Sequence, residues 1–137
     1  IHGDFNRTNL LTTQADQELV TGVIDFSDLV WAPLVADVAV AAAYQALGQD
    51  QPMAVVADLA GAYHSHVPLT QDEQRVLPFL VMARLIQSIT IGAWRASLHP
   101  ENREYILSDA PAAWGTLLRL DAIDPRQVIE AVQTACR

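Results

Sequence analysis

The first 26 residues of this chain read as loop, strand, turn and strand, and from Pro33 onward the pattern is helical. Residues 9–13 have the β-branched and apolar character of a short strand, residues 14–18 are a polar connector, and residues 19–26 read as a second strand. This makes a small hairpin with Asn9 entering one arm and Asp25 leaving the other. Antiparallel pairing carries those two side chains toward one end, although the register is not legible. Helix punctuation follows. Pro33 opens and Gly48 closes an Ala- and Val-rich segment over residues 34–47. Residues 52–66 form a second amphipathic segment, and Thr70 with Asp72 and Glu73 starts a third, its acids suited to the positive end of a helix dipole. Pro78 is expected to end or kink that segment, with a long helix then running to about His99. Residues 101–107, a helix restarted by Ser108-Asp109-Ala110-Pro111, and a last helix capped by Asp124-Pro125 complete the pattern. No repeat, low-complexity tract or linker divides it. The expected fold class is mainly α with a small β-hairpin.

With 137 residues, 51% of them hydrophobic, the chain has room for one domain with a buried core. Its formal charge of -8 argues against nucleic acid, whose phosphates require a basic footprint. An acidic surface suits a cationic amine, and it is equally an ordinary solvated surface. The single cysteine, Cys136, excludes an internal disulfide framework and suits a reducing compartment, so a cytoplasmic location is expected. No signal peptide pattern is present and the first residue is not Met, which leads to the expectation of a piece of a longer protein. The longest apolar stretch, residues 76–98, is interrupted by Arg84, Gln87 and Arg95, so a buried amphipathic helix is expected there and no membrane partner.

The residues able to carry chemistry are concentrated where the β structure is. Phosphoryl transfer to an alcohol requires a group that orients the hydroxyl and accepts its proton, together with hard oxygen ligands for a metal on the phosphates. Asp4, followed five positions later by Asn9, supplies an acid and an amide from one loop, and Asp25 supplies a carboxylate at a strand end. Two other readings use the same three residues: a capped turn with ordinary hairpin polar groups, and a metal-dependent hydrolase that cleaves phosphoesters without nucleotide.

His2-Gly3-Asp4-Phe5-x-x-x-Asn9, then Ile24-Asp25-Phe26-Ser27-Asp28, then Asp37 within Leu34-Val35-Ala36-Asp37-Val38-Ala39, resembles the aminoglycoside phosphotransferase and choline kinase superfamily. The usual family spelling is close to H-G-D-x-x-x-x-N, then I-D-F/W-G-D, then D-P-x-x-D-L-A. The resemblance implies the C-terminal lobe of a protein-kinase-like fold, α+β in the full enzyme. It implies Asp4 as catalytic base, and Asn9 and Asp25 as ligands of Mg2+, with ATP or GTP as phosphoryl donor. His2 would hydrogen-bond backbone near the metal-binding Asp, Asp37 would cap its helix or brace the catalytic loop, and Asp28 would support metal or substrate. The ordinary reading for Asp28 is a loop acid that caps a turn. Ser27 stands where Gly is usual, and Ala36 where the family varies, which touches loop geometry rather than a ligand.

Later segments, Arg84-Leu85-Ile86-Gln87-Ser88, Ala93-Trp94 and His99-Pro100-Glu101-Asn102, resemble the hydroxylysine-kinase-like branch. That branch includes domains fused to aminotransferase-like domains, and it implies an amino alcohol, hydroxylated amino acid or aminoglycoside-like acceptor. Kinases of the protein-kinase type hold nucleotide phosphates with a strand Lys under a Gly-rich cover. Here all eight basic residues are Arg, and the six glycines never form G-x-G-x-x-G. The expected organisation is therefore one partial phosphotransferase domain over residues 1–137, with catalytic loop and metal-binding hairpin in 1–32, a helical bundle in 33–137, and the nucleotide-binding N-terminal lobe absent. Such a piece is expected to be inactive alone; the alternative is a non-catalytic helical or pseudokinase module with an interaction role.

No acceptor-binding residue is assignable from sequence. Trp31 either shapes an acceptor pocket or packs as an ordinary aromatic. Arg84 and Trp94, near opposite ends of about three helical turns, either line a pocket or serve in core packing and salt bridging, and the second reading is preferred. His64 and His66, two apart on a helix, face different directions and make a poor metal pair, and His99 reads as a helix-end residue.

Overall fold

A computed structural model describes residues 1–16 and 19–137; Gln17 and Glu18 of the polar connector lie outside the described residues. The two strands, β1 (Leu10–Thr12) and β2 (Val20–Val23), pair antiparallel with Leu10 opposite Val23, Leu11 opposite Gly22 and Thr12 opposite Val20. The register slips between Leu11 and Thr12, which leaves Thr21 as an extra residue. Its hydroxyl donates to the Leu11 carbonyl at 3.2 Å. Both strands are shorter than the sequence pattern suggests. Asn9 ends a 3-10 turn over Arg7–Asn9, and Phe26 begins another over Phe26–Asp28.

Six α-helices follow among the described residues: α1 (Leu34–Ala46), α2 (Pro52–His66), α3 (Gln71–Leu98), the single turn α4 (Arg103–Ile106), α5 (Ala110–Asp121) and α6 (Pro125–Ala135). The chain is mainly helical with one small antiparallel sheet. Three helices begin with Pro in the first turn, where the missing N–H has no intrahelical partner to lose. Asp124 caps α6 by accepting from the Arg126 amide at 2.7 Å. Thr70 and Glu73 form a reciprocal capping box at the start of α3.

Pro78 does not end α3. The helix passes through it as one 28-residue element, with Pro78 itself buried. A proline forfeits one intrahelical hydrogen bond, and here the preceding turn is secured independently. The capping box fixes its start, and the buried Gln74 side chain donates to the Leu69 carbonyl at 3.0 Å.

The core is built from α1, α2, α3, α5 and α6, with Leu77, Val81, Val56 and Val132 essentially inaccessible. In α1 the small residues Ala39, Ala42, Ala43 and Ala46 face inward and let neighbouring helices approach closely. Where α1 ends, Gly48 adopts φ +71°, and the buried Thr116 hydroxyl of α5 accepts its amide at 3.1 Å while donating to the Ala46 carbonyl at 3.2 Å. One hydroxyl thus satisfies two backbone groups left over by the helix end.

The expectation of a buried amphipathic helix over residues 76–98 holds along one face and more fully in its first half; Val76 and Phe79 are exposed there, and Ala96 is buried in the second half. Leu77, Val81 and Leu85 are buried, whereas Ile86, Ile91, Trp94 and Leu98 are exposed. By length and composition α3 is apolar enough to cross a membrane, and 22% of its most apolar window is buried inside the molecule. Its midpoint carries Arg84, which is committed to an ion pair with the N-terminal loop. A charge at the centre of a bilayer-spanning helix is costly, so the helix is read as part of this fold.

Gly61 allows α2 and α6 to meet: a Cβ there would lie 2.6 Å from the Ala135 carbonyl oxygen, which is backbone and cannot move aside cheaply. Gly61→Ala is expected to destabilise the fold by about 1–3 kcal/mol, because overpacking outweighs the gain in helix propensity. Denaturant unfolding of the variant against the parent checks this; an unchanged or raised midpoint contradicts the close approach.

Candidate active site

The N-terminal loop is held in place before any of its side chains can act. Asp37, in the first turn of α1, accepts the His2 amide through Oδ2 at 3.1 Å and the Gly3 amide through Oδ1 at 3.0 Å. Asp37 is not the helix cap, a position occupied by Pro33. Gly3 adopts φ +81°, and a Cβ there would collide with the Asp28 carbonyl, so the position requires glycine on both counts. His2 is buried, and its Nε2 lies 2.9 Å from the Ile24 carbonyl. A carbonyl can only accept, so Nε2 carries the proton and Nδ1 is left to accept the Asp4 amide at 3.4 Å. Phe5 and Phe26 pack against the imidazole. The Ile1 and Val30 backbones exchange hydrogen bonds at 2.9 and 3.2 Å, which closes the loop against the segment after the hairpin.

This scaffold presents Asp4. Its Oδ2 accepts from Asn6 Nδ2 at 3.0 Å and from Asn9 Nδ2 at 3.3 Å. Its Oδ1 accepts from Arg84 Nη2 at 2.8 Å, with the Tyr44 hydroxyl at 3.5 Å. The side chains of Asp4 and Arg84 are 24% and 21% exposed, so the pair is shielded yet open to a ligand on one side. Arg84 also donates to Gln87 and Tyr44 and lies against the Tyr44 ring. Its Nε is buried with no hydrogen-bond partner among the described residues.

The hairpin register brings Asn9 and Asp25 to the same end: the Ile24 amide donates to the Asn9 carbonyl at 3.0 Å, one residue from Asp25. The Asn9 side-chain nitrogen is spent on the Asp4 backbone carbonyl at 2.9 Å, which leaves Oδ1 as its acceptor. Asp25 is exposed and adopts a left-handed backbone, φ 63° and ψ 66°, a conformation that non-glycine residues hold only when their surroundings impose it. Ser27 donates to Asp25 Oδ1 at 2.7 Å. Two hard oxygens beside one loop suit Mg2+, which keeps much of its shell for water and phosphate. No group of three or more His, Cys, Asp or Glu among the described residues is placed to hold a metal.

Asp4 and Arg84 stand at one wall of a pocket of about 610 Å3 that also includes Asp28, Tyr44, Arg95 and Asp109. That volume is in the range of small-molecule sites. Trp31 belongs neither to this pocket nor to the core. It is fully exposed, which corrects the expectation of an ordinary packed aromatic. Trp94 is likewise exposed rather than packed in the core. Arg84 does form a salt bridge, but to Asp4 in the site. His64 accepts the Leu69 amide at 2.9 Å, and His99 sits at the end of α3, 3.4 Å from Glu101. Burial pushes the Cys136 thiol up, which disfavours the thiolate and any role as nucleophile.

Sequence reasoning left out Asn6 and Tyr44 and did not connect Arg84 with Asp4. Arg84 carried the usable signal: a cation in the middle of an apolar helical stretch requires a partner.

The phosphotransferase enzyme family model matches residues 1–80 of the chain. Hydroxylysine kinase of Mus musculus is 30% identical over 135 residues, covering 94% of this chain and 36% of that protein. Hydroxylysine kinase of Bos taurus is 31% identical over 125 residues, covering 87% of this chain and 33% of that protein, and the Xenopus laevis protein is 30% identical over 126 residues. No solved structure matches significantly. The chain belongs to the aminoglycoside phosphotransferase superfamily, on its hydroxylysine-kinase-like branch. It spans about a third of the length of the curated relatives it matches.

Asp37→Asn leaves one acceptor where two amides now bind. It is expected to cost about 1–3 kcal/mol, the penalty for a buried donor left unsatisfied. Hydrogen exchange at the Gly3 and His2 amides should accelerate while exchange in α3 stays slow. Unchanged protection of the loop amides would remove the bracing role.

Proposed function

We propose that the protein containing this chain transfers the γ-phosphoryl group of ATP or GTP to a hydroxyl of a small acceptor. The observation that carries this is the Asp4 carboxylate, fixed by Asn6, Asn9 and Arg84 at the wall of a small-molecule pocket. An acceptor hydroxyl entering that pocket would donate to Asp4, which orients the oxygen for in-line attack and takes its proton as the phosphoryl group is transferred. The donors on both carboxylate oxygens hold Asp4 still without a further conformational change. Arg84 places positive charge beside the reacting centre, where negative charge on the transferring group accumulates.

Asn9 and Asp25 would hold Mg2+, which when bound supplies charge neutralisation on the nucleotide phosphates. His2, Asp28 and Asp37 are supports in this reading: His2 for the backbone before Asp25, Asp37 for the loop, and Asp28 for the pocket wall and the Gly3 turn. The acceptor class is drawn from amino alcohols, hydroxylated amino acids and aminoglycoside-like molecules, and the names of the relatives favour a hydroxylated amino acid.

The same reading assigns residues 1–32 to the catalytic loop and metal-binding hairpin, and residues 33–137 to the helical part of a C-terminal lobe. It places nucleotide recognition in a further N-terminal lobe and the working protein in the cytoplasm. Support for a covering lobe comes from Phe26, Leu29, Val30, Trp31 and Leu34, a run of exposed apolar side chains beside the site. Without that lobe the chain alone is expected to be inactive.

In the full-length protein, Asp4→Asn is expected to lower kcat by roughly 100- to 10,000-fold, the usual size of a general-base contribution. Undiminished phosphotransfer would remove Asp4 from its role. Asp25→Ala is expected to abolish Mg-dependent nucleotide turnover, and full activity in that variant would remove the metal role. Phosphoester hydrolysis in the absence of any nucleotide would instead favour a hydrolase.

A further inference from the structure

The pocket beside Asp4 contains charges of both signs, and two of them are unspent. Arg95 lies on α3 eleven residues after Arg84, three turns and about 20° further round, so both lie on the helix face that lines the pocket. Arg84 is engaged by Asp4, Gln87 and Tyr44. Arg95 forms no ion pair among the described residues, where the salt bridges are Arg75–Asp72, Arg84–Asp4 and His99–Glu101. Across the pocket, Asp109 occupies the N-cap of α5, yet its side chain makes no capping hydrogen bond. An Asp at that position ordinarily binds the first helical amides. Here the carboxylate remains available to the pocket it lines.

Arg95 and Asp109 lie on the two segments that face each other over this pocket. Gly92 of α3 faces the carbonyl of Ile106 and the side chain of Leu107, so these two charged residues flank one contact between α3 and the segment leading into α5. The two charges face one pocket and form no salt bridge with each other. A polycationic acceptor would have no use for Arg95. A simple amino alcohol would leave its guanidinium unmatched.

Taking the phosphotransferase reading as its basis, we propose that Arg95 binds the α-carboxylate and Asp109 the α-ammonium of a hydroxylated amino acid acceptor. The head group is thereby anchored at the end of the pocket remote from Asp4. The rise of about 16 Å along α3 between Arg84 and Arg95, spanned by the two long side chains and the acceptor between them, acts as a ruler. It presents to Asp4 a hydroxyl on the side chain, away from the α-carbon.

Equilibrium calorimetry on the full-length protein tests this with 5-hydroxylysine, its carboxamide and its Nα-acetyl derivative as probes. Wild-type protein is expected to bind the free amino acid roughly 10- to 100-fold more tightly than the carboxamide, the size expected for a charge-assisted contact. Arg95→Gln should erase that preference, and Asp109→Asn should erase the preference for the free amine over the acetylated form. Nucleotide binding and the unfolding temperature should not change. Wild-type protein that binds none of the probes, or treats carboxylate and carboxamide alike, overturns the proposal. So does an Arg95→Gln variant that keeps the preference. Phosphate transfer, measured separately, keeps the two readings apart. Binding discrimination without transfer leaves the Arg95–Asp109 anchor standing and removes the kinase reading, whereas transfer to 5-hydroxylysine and its carboxamide at equal kcat/KM does the reverse.

Discussion

Both oxygens of the Asp37 carboxylate are occupied by backbone amides of a loop 35 and 34 residues away, and the geometry of the site depends on that attachment. Asp37 needs no reaction chemistry to matter. It converts the rigid start of α1 into an anchor for His2 and Gly3, whose own constraints then propagate. Gly3 can approach the Asp28 carbonyl only because it lacks a Cβ, and His2 reaches across to the Ile24 carbonyl. Loop, hairpin and helix are therefore tied together at the residues immediately before Asp4 and Asp25. A reacting carboxylate must be held within a fraction of an ångström to be useful, and two short strands could not achieve that alone.

The second attachment runs from Asp4 to Arg84, 80 residues apart in sequence. A partly shielded ion pair gains less than its Coulomb energy suggests, because both groups lose water. Here the loss on the Asp4 side is offset by Asn6, Asn9 and Tyr44, which bring further donors to the same carboxylate. The pair's contribution is orientation more than stability: it sets Asp4 against α3, the helix that also forms the pocket's longest wall.

How much of this could be read from the residues depends on sequence distance. The helices after Pro33 were legible because caps, prolines and glycines act within a few residues, and Thr70 with Glu73 shows that logic in full. The continuity of α3 through Pro78 was not legible, since the helix around it is buried against the core by tertiary packing, with Leu77 and Pro78 themselves buried. Similarly, His2, Asp4 and Asn9 stand within eight residues and fall into one loop. Arg84 and Tyr44 join them only through tertiary packing of α1 against α3. Trp31 was misjudged because a large aromatic near a site suggests packing, while its exposure is a property of what surrounds it.

That exposure extends to both sides of the site. The bundle buries its apolar residues where α1, α2, α3, α5 and α6 meet, whereas the hairpin end and the second half of α3 leave Phe26, Leu29, Trp31, Trp94 and Leu98 open to water. Scattered apolar side chains are ordinary on a protein surface, but a run of them on a segment directly following a proposed metal ligand is not. The buried cluster accounts for the packing of the helical bundle, while the proposed reaction would gain from a second surface over the loop. A nucleotide held only by Asn9 and Asp25 would remain largely in water, where electrostatic stabilisation of the transferring group is weak. Closing that surface would exclude solvent and strengthen every charge already fixed around Asp4. The same physical step would bury the apolar run and make the carboxylate effective.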